Sequence, residues 1–355
     1  TSKFQKRESR VDFLYSESGY GYLNKTKKMR VASFFAGVGG IDLGFLQAGF
    51  EVIWANEFDV RASQTYRSNF SSTLLTEDIR NVKASDIPDF DIMVGGFPCQ
   101  AFSLAGKLLG FEDERGNLFF ELERIIKEKK PKAVFLENVK NLINHDNGNT
   151  YRVIWSRLTE AGYFVREQIM NSCEYGNLPQ NRERIYIVGF RDRKVYERFY
   201  FPRPIPLTTK LSDCINMVEP VEENFYYRQG TCQFYEPLAL GVQHSNTLYQ
   251  WRRHYVRQNQ RGLCPTLTAN MGTGGHNVPI VKTKFGIRKL TPRECFNFMG
   301  YPKDYKLPNL NNSCLYKQAG NSVTVPVIRR IAETMKSAIE EQEPRIERYQ
   351  QLQLF

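Results

Sequence analysis

The sequence predicts an α/β fold: a mostly parallel sheet with helices on both faces, joined to a smaller, irregular domain. Three observations predict it. Between Met29 and Phe190, short apolar runs alternate with stretches of helical period. The runs are rich in Val, Ile and Phe and are bounded by glycine, proline or polar residues, as strands buried on both faces are. After Phe190 the rhythm breaks at Pro202, Pro204 and Pro206, and a basic, aromatic, loop-like region follows to about residue 280.

Residues 1–28 form a basic extension. Residues 31–35 read as the first strand, which runs into Phe35-Ala36-Gly37-Val38-Gly39-Gly40 and a short helix ending near Gly49. The strand at 52–55 leads into Asn56-Glu57-Phe58-Asp59, and that at 91–95 into Gly96-Phe97-Pro98-Cys99-Gln100 and a glycine-bearing stretch ending at Asn117. An amphipathic helix follows. Leu118, Phe119, Leu122, Ile125 and Ile126 form its stripe, Glu121, Glu123, Lys127 and Glu128 lie away from it, and Pro131 stops it. Strands at 133–138 and 185–190 complete the set, the first ending in Glu137-Asn138-Val139 and the second preceded by Gln180-Asn181-Arg182-Glu183-Arg184. Helical character returns near Pro292 and from 325 to about 343, before a polar tail at 341–355. The spacing divides the chain into a domain at 29–190 completed by 290–340, and a second domain at 191–289.

At 355 residues, 41% hydrophobic, the chain can bury a core in one large or two modest domains. It has no run of eighteen uncharged apolar residues and no signal-peptide pattern, so no membrane partner is expected. The seven cysteines, at 99, 173, 214, 232, 264, 295 and 314, include no C-x-x-C pair, which argues against a disulfide framework or zinc cluster and for a reducing, cytoplasmic setting. The four histidines form no ligand pair, so no metal is expected. The net charge of +11 is uneven: +5 over 1–30, −4 over 31–190, +8 over 191–290 and +2 over 291–355. Such a division suggests a polyanion held by one part while another does different work; ordinary solubilising charge is the alternative.

Ligands of open parallel sheets sit beyond the carboxyl ends of the strands. There Glu57 is placed to meet a ribose diol and Phe58 to stack on a purine, with Asp59 as a helix cap the plainer alternative. A dinucleotide fingerprint fails, because Asp42 stands where its third glycine belongs. Cys99 follows two glycines and a proline where such folds hold reactive groups, although a lone cysteine is usually inert. Glu137 and Arg184 end neighbouring runs and can converge near the thiol; singly, they read as a cap and a salt-bridge partner.

Gly37-Val38-Gly39-Gly40, Pro98-Cys99-Gln100, Glu137-Asn138-Val139, Gln180-Asn181-Arg182-Glu183-Arg184, the run from Arg288 to Cys295, and Gly320-Asn321-Ser322-Val323 stand in the order of the motif blocks of DNA (cytosine-5)-methyltransferases. Over residues 29–340 the chain resembles the bacterial restriction-modification members of that family. The resemblance implies a Rossmann-like methyltransferase fold, with 191–289 as the target-recognition domain and double-stranded DNA in the cleft between domains. It also implies a cytoplasmic, nucleoid-associated monomer whose functional partner is a cognate restriction endonuclease. The family alternatives are a transfer-RNA cytosine methyltransferase and a non-catalytic DNA-binding relative.

By the same resemblance, Cys99 attacks carbon 6 of a flipped cytosine. Glu137 meets ring nitrogen 3 and the exocyclic amine, Arg184 stabilises charge at the carbonyl oxygen, and Arg182 supports the site. S-adenosyl-L-methionine is assigned to Phe35, Gly37, Val38, Gly39 and Gly40, with Glu57 on the ribose and Phe58 on the adenine. Asp78 and Ile79 match the next adenine block, Pro98 and Leu118 flank the methionine end, and Asn321, Ser322 and Val323 close the pocket. For DNA, the resemblance points to Gln100, Ser103 and Arg115 on a closing loop, and to Thr266, Leu267 and Thr268 before a glycine loop at Gly272, Gly274 and Gly275. Arg252, Arg253, Arg257 and Arg261 are the expected phosphate or base contacts.

Overall fold

The structure, a computed structural model, describes residues 28–98, 118–259, 261–273 and 277–341. Its first half runs β1 (Arg30–Phe34), α1 (Gly40–Gln47), β2 (Glu51–Asn56), α2 (Val60–Arg67), β3 (Thr73–Leu75), β4 (Ile92–Gly95), α3 (Leu118–Lys129), β5 (Ala133–Val139), α4 (Asn149–Glu160), β6 (Phe164–Asn171), α5 (Ser172–Tyr175) and β7 (Glu183–Phe190). The strands form one sheet in the order β3-β2-β1-β4-β5-β7-β6. The first five strands pair in parallel and β7 runs antiparallel to β5 and β6. The expected fold is therefore present, with two strands more than the sequence showed. β3 has three residues, and β6 lies at the sheet edge with six of its eight positions exposed or partly exposed, so neither makes an apolar run.

Alternate residues of the buried strands feed opposite cores. Val31, Ile92, Val94, Phe135 and Val188 pack under α1 and the last helix, whereas Ala32, Phe34, Met93, Val134 and Ile187 pack under α3 and α4. In α3 the expected stripe is buried, except that Leu118 is only partly covered. Glu123, expected on the solvent side, is also buried and holds Lys127 at 2.6 Å.

The remainder comprises α6 (Arg193–Arg198), α7 (Leu211–Cys214), α8 (Tyr235–Gly241), β8 (Tyr249–Trp251), β9 (Val256–Gln258), β10 (Ile280–Thr283), β11 (Gly286–Lys289), α9 (Pro292–Phe298), α10 (Asn312–Asn321) and α11 (Val325–Ile339). The region read as irregular thus holds a four-stranded antiparallel sheet in the order β11-β10-β8-β9. Its strands are three or four residues long, too short for an alternating pattern to register. The sheet has its own small core of Leu238, Val242, Tyr249, Ile280 and Ile287, beside which Phe234 and Trp251 stack at 4.9 Å. Helix α11 ends at Ile339, earlier than its periodicity suggested, and returns the chain to the first sheet by packing on α1.

Two buried polar clusters stitch these parts together. The Arg288 guanidinium grips Glu294 through both nitrogens at 2.8 and 2.7 Å and donates to the Asn216 carbonyl. Glu294 also accepts from the backbone of Thr291 and Asn216, so both ions are fully engaged at 1% and 2% exposure. Asp42, in the first turn of α1, accepts from the Ser33 hydroxyl at 2.8 Å and the Tyr66 hydroxyl at 2.7 Å. With only hydroxyl partners, burial pushes its carboxyl up to about 6.

Both clusters have measurable consequences. Glu294→Ala leaves a buried guanidinium without its counter-ion and should lower stability by about 3–5 kcal/mol in urea unfolding. Because the folded pKa of Asp42 lies above its unfolded value, the folded state favours the protonated form, and that stabilisation is lost as pH rises through about 6. Between about pH 4 and pH 7 the wild type should lose about 2–3 kcal/mol relative to Asp42→Asn, which does not ionise; a difference independent of pH would contradict this.

Candidate active site

The carboxyl ends of β1, β2 and β3 build one half of the site. At the end of β1, Phe35 takes a left-handed φ of 53°, strained for a bulky residue, and the next two amides are tied down. Ala36 N–H donates to the Asn56 carbonyl at 2.9 Å, and Gly37 N–H to Glu57 Oε2 at 2.7 Å. Gly37 itself has φ 56°, and a Cβ added there would meet nothing within 4 Å, so its backbone borders open space. Gly40 is glycine for another reason: a Cβ would strike the Tyr301 hydroxyl, Val323 and the Ser322 hydroxyl within 3 Å. The sequence pattern does not separate these two needs. Val38 is buried, and its carbonyl accepts from the Tyr305 hydroxyl.

Glu57 is fixed from both sides, its second oxygen accepting from Asp59 N–H at 2.7 Å, and burial raises its pKa. Asp59 does cap α2, accepting from the amides of Arg61 and Ala62. Beside this carboxylate the Phe58 ring stands 69% exposed, an apolar face left to solvent. Asp78 caps the short turn at Ile79–Asn81 and is clamped by Arg80, while Ile79 is buried beneath. Ser322 and Val323 are buried against the glycine turn, Asn321 and Pro98 are exposed, and Leu118 is the half-buried start of α3.

The ends of β5 and β7 build the other half. Glu137 is buried, and the Arg184 Nε lies 3.3 Å from its Oε1. Burial raises the Glu137 pKa, and the nearby Arg184 and Arg182 charges partly oppose the rise. Arg182 points elsewhere: its guanidinium donates to the carbonyls of Leu267 at 2.7 Å, Gly320 at 3.2 Å and Ser322. The halves meet at Gly96, where a Cβ would lie 3.4 Å from Glu137 Oε2 and 3.7 Å from Ile41 of α1. One residue on, the Phe97 carbonyl accepts from the Asn138 side chain at 2.9 Å, so β5 anchors the loop that leads to Cys99. Asn138 was not singled out as a site residue; its adjacency to Glu137 was the available signal.

Cys99, Gln100, Ser103, Arg115, Gly274 and Gly275 lie outside the described residues. Of the expected DNA contacts, Thr266 is half-buried with its hydroxyl on the Asn181 carbonyl, and Thr268 is exposed. Leu267 needs correction as a surface contact: it is 1% exposed, with its amide on Gln180 and its carbonyl on Arg182, so its side chain packs the interior. Gln180, which also donates to the Phe298 carbonyl, is a positioning residue that its place in the run before Arg182 does not by itself reveal. Arg252 and Arg253 form the exposed tip of the β8–β9 hairpin, and Arg257 lies exposed on β9.

A carboxyl and a guanidinium 3.3 Å apart in a buried slot can donate to and accept from one edge of a flat heterocycle, next to a cradle of carboxylate, aromatic face and glycine backbone. The family model for C-5 cytosine-specific DNA methylases matches residues 29–337. The Type II methyltransferase M.Bsp6I of Bacillus sp. (strain RFL6) is 60% identical over 309 residues, 86% of this chain and 98% of that protein. M.HhaI of Haemophilus parahaemolyticus is 40% identical over 324 residues, 88% and 95% of the two chains. Among solved structures, a mutant DNMT2 of Spodoptera frugiperda superposes with a TM-score of 0.68 at 21% identity, covering 87% of this chain and all of that one. A putative DNA modification methyltransferase encoded within an E. coli prophage gives 0.67 at 21% identity over 88% of this chain, so these two share its fold. The chain belongs to the C-5 cytosine-specific DNA methylases and is a DNA (cytosine-5) methyltransferase.

Proposed function

We propose that the enzyme methylates carbon 5 of one cytosine in a short duplex sequence, using S-adenosylmethionine, as the protective half of a restriction-modification system. The observation that carries this reading is the buried Glu137–Arg184 pair facing the backbone that leads into Cys99, beside the glycine turn. The relatives named as Type II methyltransferases support the biological setting. A monomer acting in the cytoplasm, with DNA held between residues 29–190 and 191–289, completes the proposal.

The residues present fit the methyl donor: Phe58 offers an exposed aromatic face, Glu57 a held carboxylate, and Gly37 bare backbone next to open space. The donor supplies a methyl group on positively charged sulfur. Phe58 would stack on its adenine, Asp78 would meet the ring edge, Glu57 the ribose, and Gly37 with Ser322 and Val323 the methionine end.

Cytosine carbon 5 is a poor nucleophile until a nucleophile adds at carbon 6. The Cys99 thiolate would form that bond, moving an electron pair toward carbon 5. Glu137, whose burial favours the protonated carboxyl, would donate to ring nitrogen 3 and accept from the exocyclic amine. Arg184 would hold the carbonyl oxygen, where charge also gathers. After carbon 5 is methylated, loss of its proton returns the electron pair and expels the thiolate, restoring Cys99. Ring nitrogen 3 is paired and the face of carbon 6 is covered by stacking inside a duplex, so the base must rotate out into the slot. Arg182 acts as a positioning residue, since both its terminal nitrogens are held by backbone carbonyls.

Tritiated methyl incorporation into duplex DNA and transfer RNA, compared side by side, tests the substrate: DNA should be labelled, and labelling of transfer RNA alone would overturn the reading. Cys99→Ser should abolish transfer while leaving DNA binding intact, and only the wild type should trap covalently on a duplex containing 5-fluorocytosine. Phe58→Ala removes an exposed ring, so it should leave stability unchanged yet weaken donor binding by about 1–3 kcal/mol in calorimetry.

A further inference from the structure

Away from the catalytic slot, a cavity of about 180 Å³ opens where the first turn of α2, the first turn of α10 and residues 269–273 meet. Arg61, Gly272, Thr273, Asn311, Ser313 and Lys317 line it, and apart from Gly272 of the expected glycine loop none of them has been given a role above. Arg61 is exposed, and its NH1 rests 2.8 Å from the Cys314 sulfur, a weak acceptor that cannot neutralise a guanidinium. Among the described residues it has no ion-pair partner. Lys317 is shared with Asp59 at 3.2 Å, which leaves the cavity wall with one uncompensated positive charge.

That charge stands where a helix disfavours it. Arg61 occupies the first turn of α2, whose one carboxylate, the Asp59 cap, is already engaged by the helix amides and Lys317, and the first turn of α10 carries no acidic residue. Helix N-termini repel cations and attract anions, so an unpaired cation there is unfavourable until an anion arrives. The cavity is roomy enough for a phosphate group with a bridging water, and its hydroxyl and amide lining suits one. The position relates it to the substrate as well. Residues 269–272 follow directly after Thr268, and they are packed so closely on α10 that a Cβ at Gly272 would lie 2.4 Å from the Ser313 carbonyl. The cavity is therefore fixed relative to the Thr266–Thr268 segment, in which Thr268 is exposed and which is expected to meet the DNA.

We infer that Arg61 and Lys317, two cations outside residues 191–289, form a site for a backbone phosphate of the DNA. The inference rests on the DNA reading given above. A backbone phosphate contact carries no sequence information, so it can be measured on any duplex. A short labelled duplex of arbitrary sequence should bind Arg61→Ala more weakly than wild type in fluorescence anisotropy, and the slope of log affinity against log salt should fall by about 1. Arg61→Lys should recover the slope, and S-adenosylmethionine should bind both variants as it binds the wild type.

An unchanged affinity and slope in Arg61→Ala would overturn the site. Loss of donor affinity with an unchanged slope would overturn it too, by assigning Arg61 to the donor pocket. If the wild type itself bound no duplex in the same titration, the DNA reading would fail with it, so the two failures are distinguishable. Inorganic phosphate should compete only at concentrations far above those of DNA phosphate, because it lacks the other contacts of the duplex.

Discussion

The site depends on one buried guanidinium. Arg182 is 2% exposed and donates through its two terminal nitrogens to carbonyls from two distant segments: Leu267, and the Gly320 and Ser322 turn. A cation taken out of water is tolerated only where oriented acceptors replace its hydration. Those acceptors exist only if β7, the residues before the glycine loop and the end of α10 arrive together. The requirement is mutual. The carbonyl at 267 and those around Gly320 lie inside the protein and need donors, which Arg182 supplies. In meeting it, the chain brings Ser322 and Val323 against the glycine turn and sets Arg184, at the start of β7, beside Glu137.

The Arg288–Glu294 pair does the same for the other part of the molecule. It joins the end of β11, the capping box at the start of α9 and the loop at Asn216, and leaves no polar atom of the carboxylate unused. The small antiparallel sheet that ends in β11 is tied to α9 by this pair, although its own core of five buried side chains is slight. The uneven charge of the sequence then acquires a location. The basic excess of residues 191–290 includes Arg252, Arg253 and Arg257 on an exposed hairpin backed by the stacked Phe234 and Trp251, a rigid support for flexible cations.

Much of this was legible in the chain. The strands that carry site residues announce themselves because they are buried on both faces, which forces apolar runs, and because the chemistry at their ends requires unusual residues such as Gly37, Glu57, Glu137 and Arg184. What escaped notice has equally physical causes. β6 is half-exposed and so reads as mixed, and the strands of the second sheet are shorter than the period needed to reveal them. Helix α10 buries both apolar and polar side chains, including Gln318, whose oxygen accepts from Thr65 and whose amide donates to the Arg61 carbonyl, so no clean stripe appears. Glycine patterns were ambiguous for a related reason: Gly37 is open to solvent and Gly40 is crowded, yet both are simply glycine.

The sequence by itself determined the fold class, the ordered motif blocks and the residue types fit for methyl transfer to cytosine, because local periodicity and reactive chemistry are properties of neighbouring residues. Only the tertiary structure decided that Arg182 binds carbonyls while Arg184 faces Glu137, that Leu267 belongs to the interior, and that Arg61 stands uncompensated beside Lys317. The reason is common to all three. Which acceptor a side chain finds depends on segments tens to hundreds of residues away, such as the 253 positions separating Arg61 from Cys314, and those meet only when the two sheets and their helices are packed.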